Sequence, residues 1–131
     1  MKNPVKTTII LLLVFSTFGC EDELMSPCVQ GKVIGYQPCY NMLLIEVFST
    51  NLGEPLTLGD KYYKRVVQQP NELLTGSHLN NEDTVYFRYK AFDPEQYTLS
   101  DNNIDQLCHP SIAPFPIPTI AITDYSTKKC P

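Results

Sequence analysis

The chain has 131 residues, five cysteines and a formal charge of −4, from 10 Lys and Arg against 14 Asp and Glu. This length holds one small domain and excludes a multidomain enzyme. No apolar run is long enough for a polytopic membrane protein. An acidic chain repels phosphate groups, so nucleic acid and anionic lipid headgroups are poor candidates for a partner.

The first segment has the pattern of an export signal. Lys2 and Lys6 precede an apolar run over residues 9–15, and no acidic residue occurs before Glu21. A basic start, a short apolar run and small residues before a break are typical of a secretory signal peptide. Because the run is shorter than the roughly 20 residues that span a bilayer, it predicts export rather than a transmembrane helix. We expect a signal peptide over residues 1–19.

Cys20 follows Gly19 directly after this segment. The sequence FSTFGC resembles the lipobox of bacterial lipoproteins, with Thr17 and Phe18 in place of the commoner Leu and small residue. In that family the cysteine receives the lipid and becomes the new N-terminus. The resemblance therefore implies lipidation of Cys20 and a membrane partner through this anchor.

Three acidic residues, Glu21, Asp22 and Glu23, follow the cysteine. They resemble the signal that sends lipoproteins of Bacteroidota-type bacteria to the outer face of the outer membrane. The resemblance implies a lipid-anchored protein at the cell surface. We expect residues 20–27 to form an acidic tether. The alternative to a sorting signal is that these three residues are only an ordinary solvated charge run in that tether.

The cysteine count supports lipidation independently. Five is an odd number, and a secreted protein rarely keeps a reactive free thiol. If Cys20 carries lipid, the other four form an even set that an oxidising compartment would pair. These four, Cys28, Cys39, Cys108 and Cys130, lack the Cys-x-x-Cys spacing of a zinc or redox site.

Residues 28–131 predict a single all-β domain. Apolar and alternating runs predict five strands, at Val29–Gln37, Met42–Thr50, Lys61–Gln69, Thr84–Phe92 and Ile117–Tyr125. The segment Asn51–Gly59 carries turn residues and is predicted as a loop. Pro70 followed by Asn71–Leu74 suits one helical turn between the third and fourth strands.

Five strands with one helical turn in this place form the order of a small OB-like barrel. The stretches GKVIGYQPC, DKYYKRVVQQPNELL and DTVYFRYK, in that order, also resemble small OB-like lipoproteins of the same bacteria. An immunoglobulin-like sandwich is the alternative, but that fold needs about seven strands.

Two disulfides are expected. Cys28 and Cys39 flank the first strand, which extended would hold them roughly 30 Å apart. A disulfide needs Cα atoms within about 7 Å, so this pair is disfavoured and two pairings remain. In an OB barrel the first and last connecting loops surround the binding cleft, which favours Cys39–Cys108 together with Cys28–Cys130.

No set of residues predicts catalysis, a metal site or a cofactor. His78 and His109 lie in predicted loops, and residues 101–105 lack the glycine and the closing glutamate of an EF-hand. Tyr62 and Tyr63 lie on the third strand, where aromatic residues of OB barrels stack on ligands. We therefore consider these two as ligand-facing, with a core position as the alternative.

The sequence favours a non-enzymatic, lipid-anchored binding or accessory module that meets a protein, peptide or glycan. The alternative is a small envelope inhibitor or protective lipoprotein directed at a hydrolase. A hydrolase that uses Glu46 and Glu54 is the least supported, because a retaining glycosidase needs two carboxyl groups about 5 Å apart in a cleft.

Overall fold

The computed structural model describes residues 26–71, 74, 79–95 and 115–131. The signal peptide, Cys20 and the acidic residues that follow it lie outside these ranges. The elements are β1 (Val29–Gln37), a 3-10 helix (Pro38–Tyr40), β2 (Met42–Val47), β3 (Glu54–Leu58), β4 (Lys61–Pro70), β5 (Thr84–Ala91) and β6 (Ile120–Ser126). Within the described ranges, no helix combines the length and apolar composition needed to cross a bilayer.

The strands form one sheet in the order β3-β4-β2-β1-β5-β6, with antiparallel pairing throughout. An isolated parallel bridge between Gln68 and Thr119 brings the start of β6 against the end of β4. The prediction of an all-β domain is confirmed. The prediction of a five-stranded barrel is wrong, because the sheet has six strands and this single bridge stands where a closing ladder would lie.

The additional strand is β3, which the sequence predicted as a loop. It lies at the edge of the sheet and pairs with β4, so Pro55 interrupts no central ladder. Leu58 pairs with Lys61 across a two-residue loop that begins with Gly59 at φ 59°. A glycine at the first position of such a loop, with positive φ, is typical of a type II′ hairpin turn. Gly59, which the sequence analysis counted among the residues of a loop, therefore belongs to the hairpin turn between β3 and β4.

Both faces of the sheet carry apolar side chains, because successive residues of a strand point to opposite faces. The first core cluster contains Val29, Val33, Leu43, Ile45, Val47, Val67, Leu74, Val85, Phe87, Ile120 and Ile122. The second core cluster contains Ile34, Leu44, Leu56, Tyr63, Val66 and Ile117, with Phe115 and Leu58 packed against it. The segment before β6 therefore contributes to the packing of the second face.

Two buried glutamines link β4 to the last strand. Gln68 donates from Nε2 to the Ile117 carbonyl at 3.1 Å and to Thr119 Oγ1 at 3.0 Å. Its backbone N–H donates to the Pro118 carbonyl at 2.9 Å. Gln69 accepts at Oε1 from the backbone N–H of Ile122 at 2.6 Å. Side-chain amides therefore supply three of these four hydrogen bonds between β4 and residues 117–122.

A short turn follows β4. The Leu74 N–H donates to the Asn71 carbonyl at 3.1 Å, which is the i to i+3 bond of a 3-10 turn. The bond agrees with the helical turn that the sequence predicts there, although Glu72 and Leu73 lie outside the described residues.

A disulfide joins Cys28 to Cys130, as predicted, with Cα atoms 5.9 Å apart and a sequence separation of 102. It ties the start of β1 to the C-terminal end of the domain. Cys39 is also disulfide-bonded. Its predicted partner, Cys108, lies outside the described residues, so the Cys39–Cys108 pairing stays a prediction.

Candidate binding surface

The two tyrosines predicted to face a ligand have opposite environments. Tyr62 is 64% exposed, whereas Tyr63 is 6% exposed and belongs to the second core cluster. Neighbouring residues on a strand point to opposite sides, which separates the two rings. The ammonium group of Lys61 lies 5.0 Å from the centre of the Tyr63 ring and covers it. Tyr62 can therefore contact a ligand, and Tyr63 is a core residue.

Three large hydrophobic side chains are exposed among the described residues: Tyr36 (48%), Phe48 (50%) and Tyr62 (64%). Tyr36 lies near the end of β1. Phe48 and Tyr62 lie towards the opposite end of the sheet, past the last paired residues of the β1–β2 and β2–β4 ladders. The sequence analysis did not single out Tyr36 or Phe48. Phe48 directly follows an apolar run and reads as its continuation, so the sequence gives no sign of its exposure.

The connection between β1 and β2 holds Tyr36 in place. The Tyr36 hydroxyl donates to Asn41 Oδ1. Asn41 is left-handed, with φ 51° and ψ 43°, and ends the 3-10 helix by donating its N–H to the Pro38 carbonyl at 3.2 Å. Asparagine tolerates this conformation better than most residues. The signal that predicts this turn is therefore Pro38 followed three residues later by asparagine.

The same connection is fixed to two other parts of the domain. The Asn41 carbonyl accepts from the Asn71 N–H at 2.9 Å, which joins it to the end of β4. Cys39 is buried and disulfide-bonded. We name the surface formed by Tyr36, Pro38 and Asn41 the β1–β2 corner. It presents a half-exposed aromatic ring on a connection that is held by the Asn71 hydrogen bond and by the disulfide of Cys39.

One ion pair lies beside the sheet, between Lys32 of β1 and Glu82. The hydrogen bond to Glu82 raises the pKa of Lys32, and the same bond lowers the pKa of Glu82. Both shifts favour the charged forms. Neither group is therefore suited to exchange a proton near neutral pH, where a general acid or base needs its pKa.

The two carboxylates considered for hydrolysis lie on one row of the sheet. Glu46 and Glu54 both pair with Val66, from opposite sides of β4. Adjacent strands lie about 4.8 Å apart, so the two backbones are separated by about 10 Å. This is about twice the separation of the carboxyl groups in a retaining glycosidase.

Metal ligands do not cluster in the parts of the chain that the structure describes, where no three His, Cys, Asp or Glu side chains come together. His78, His109 and residues 101–105 lie outside those parts. In the comparisons with known proteins, no family model and no curated protein matches the chain.

Proposed function

We propose that the chain is a lipid-anchored, non-enzymatic binding or accessory module of the cell envelope. Its partner would be a protein, peptide or glycan that meets the β1–β2 corner. The observation that carries this proposal is the geometry of Tyr36, whose ring is half-exposed while its hydroxyl group is bound to Asn41. A side chain held before binding loses less conformational entropy when the partner arrives.

The environments of the charged residues support a binding role over a catalytic one. The ion pair of Lys32 and Glu82 holds both groups in their charged forms, through a raised pKa and a lowered pKa. The backbones of Glu46 and Glu54 lie about 10 Å apart on opposite sides of β4, about twice the separation at which the carboxyl groups of a retaining glycosidase work.

The order of strand pairing supports an OB-like relationship, which we also propose. The predicted strands correspond to β1, β2, β4, β5 and β6, and each pairs with its neighbours in the order β4-β2-β1-β5-β6. The parallel bridge between Gln68 and Thr119 joins the two ends of that series. OB folds are partly open, and they bind ligands on the second and third strands and on the adjoining loops.

Lipidation is tested by the variant Cys20→Ser. We expect wild type to take up labelled fatty acid and to sediment with membranes, and the variant to be released by detergent-free lysis. Replacing Glu21, Asp22 and Glu23 with Ala should keep the lipid but abolish protease access on whole cells. A variant that still sediments, beside a wild type without label, would contradict the anchor.

The binding role is tested by affinity capture from outer-membrane extract with purified wild type, Tyr36→Ala and Tyr62→Ala. We expect Tyr36→Ala to lose the captured partner and Tyr62→Ala to retain it. The opposite result would move the binding surface to the β3–β4 hairpin. Capture of a secreted hydrolase whose activity falls in the complex would support the inhibitor alternative instead.

A further inference from the structure

We propose that the end of the sheet that receives the N-terminal tether rests on the lipid surface, with Phe48 and Tyr62 in the headgroup layer. The proposal rests on the lipid anchor of the proposed function and adds the orientation of the domain on the membrane. It follows from where the tether joins the sheet, from which side chains surround that place, and from their charge.

The tether is fixed to the sheet before β1 begins. Ser26 Oγ accepts a hydrogen bond from the backbone N–H of Tyr89 at 2.7 Å, and Cys28 is held by its disulfide to Cys130. Six Cα–Cα steps lead from Cys20 to Ser26. Fully extended, they span about 20 Å. A lipid on Cys20 therefore keeps this end of the sheet close to the membrane.

The two exposed aromatic residues lie at this same end. Lys32, Glu46 and Val66 form one row across β1, β2 and β4. Phe48 lies beyond this row towards the start of β1, where its N–H donates to the Gln30 carbonyl at 2.9 Å. Tyr62 lies beyond it on the part of β4 that pairs with β3.

Two segments at this end of the domain carry more basic than acidic residues. Residues 48–65 contain three basic residues, Lys61, Lys64 and Arg65, and two acidic residues, Glu54 and Asp60. Residues 123–131 contain two basic residues, Lys128 and Lys129, and one acidic residue, Asp124. The basic excess belongs to these two segments alone, because the tether that joins the same end carries three acidic residues, Glu21, Asp22 and Glu23.

Exposed aromatic rings beside lysines form the combination that favours a membrane interface. Aromatic side chains concentrate at the level of the headgroups, and basic residues are attracted to anionic lipids. Phe48 and Tyr62 are half-exposed or more, whereas most of the buried apolar residues pack in the two core clusters. The lipid surface therefore covers both rings, whereas the half-exposed Tyr36 lies at the opposite end of the sheet.

The absence of tryptophan from the sequence makes the test direct. Phe48→Trp, Tyr62→Trp and Tyr36→Trp each introduce one fluorophore into the full mature, lipidated chain. The variants are reconstituted in vesicles of anionic phospholipid with brominated acyl chains, and in unbrominated vesicles as the reference. We expect bromine quenching and a blue shift at positions 48 and 62, and neither at position 36. Equal quenching at all three positions, or none at 48 and 62, would overturn the orientation.

A mass measurement on the reconstituted protein separates this inference from the proposed function. A chain without lipid on Cys20 contradicts the anchor, whereas a lipidated chain whose reporters at 48 and 62 are unquenched contradicts the orientation alone. Adding Lys61→Glu and Lys64→Glu to Tyr62→Trp should lower the quenching in anionic vesicles. Unchanged quenching in that variant would contradict the contribution of charge.

Discussion

Gln69 accepts the backbone N–H of Ile122 at its Oε1 atom, over 2.6 Å, and so joins β4 to β6 where no ladder connects them. Its Nε2 donates to the Pro70 carbonyl at 3.0 Å. Gln69 is 0% exposed, and the oxygen and the nitrogen of its amide each have a hydrogen-bond partner in the interior. The side chain supplies one acceptor and one donor, as a peptide group of a neighbouring strand would.

We expect Gln69→Leu to destabilise the domain by about 1 to 3 kcal/mol, because it leaves the Ile122 N–H and the Pro70 carbonyl without these partners. The measurement is urea unfolding at constant pH. Gln69→Glu should cost more at neutral pH than in acid, because its carboxylate would be buried without a cation.

Gln30→Leu is the matched control for this substitution. Gln30 lies half-buried on β1, and its backbone N–H bond to Ser49 Oγ at 2.9 Å survives the change. We expect an effect within about 0.5 kcal/mol. If Gln30→Leu and Gln69→Leu cost the same, the amide of Gln69 has no special role in joining the strands.

The ion pair of Lys32 and Glu82 predicts that the domain is more stable within a window of pH than on either side of it. The lowered pKa of Glu82 gives a stabilisation that is present above about pH 4.3 and is lost as the pH falls through the folded value. The raised pKa of Lys32 gives one that is present below about pH 10.4 and is lost as the pH rises through its folded value.

Glu82→Gln should therefore lower the melting temperature between these limits and have little effect at either extreme. Glutamine keeps the size of the side chain at a residue whose φ is 76°, so backbone strain is unchanged. Thermal unfolding at acidic, neutral and alkaline pH measures the difference. A difference that is equal at all three would show that the charge of Glu82 is not its cause.

Two glycines with positive φ should respond differently to alanine. A Cβ on Gly53, whose φ is 106°, would lie 2.8 Å from the Val66 nitrogen, whereas a Cβ on Gly59, whose φ is 59°, would meet nothing within 4 Å. We expect Gly59→Ala to cost about 1 kcal/mol from backbone strain alone. Gly53→Ala should cost more, because β4 must also move. Urea unfolding of both variants gives the order, and a reversed order would contradict the close approach.

Removal of the Cys28–Cys130 disulfide by a double replacement with Ser should destabilise the domain strongly. A bond that closes a segment with a sequence separation of 102 is worth about 4 to 5 kcal/mol of unfolded-chain entropy. Urea unfolding of the oxidised proteins measures it. Peptide mapping without reductant should recover Cys39 with Cys108, and recovery of Cys39 with any other cysteine would contradict that prediction.

Local patterns predicted several strands well. Val29–Gln37 was predicted with both of its bounds, because Pro38 stops the strand and its apolar residues alternate. The start of β5 at Thr84 also follows from alternation, with Val85 and Phe87 in the first core cluster. The split between Tyr62 and Tyr63 follows from the same period of two, but the sequence does not say which ring faces the core.

The edge strand and the glutamine links could not be predicted in the same way. Pro55 and Gly59 favour both a loop and an edge hairpin, and only pairing with β4 decides between them. Gln68 and Gln69 read as polar residues at the end of a strand. Their burial depends on β6, which begins 51 residues further along the chain at Ile120. Contacts over that separation leave no local pattern.

Pro55 in β3 also affects how copies of the protein behave when they are crowded. A free sheet edge is a template on which another chain can add a strand, and such growth leads to aggregation. Proline has no N–H, so this edge lacks one of the donors that an added strand would use. The proposed lipid anchor would confine the molecules to a plane and raise their local concentration. In such a layer, a proline at the edge of the sheet would protect these domains from joining edge to edge.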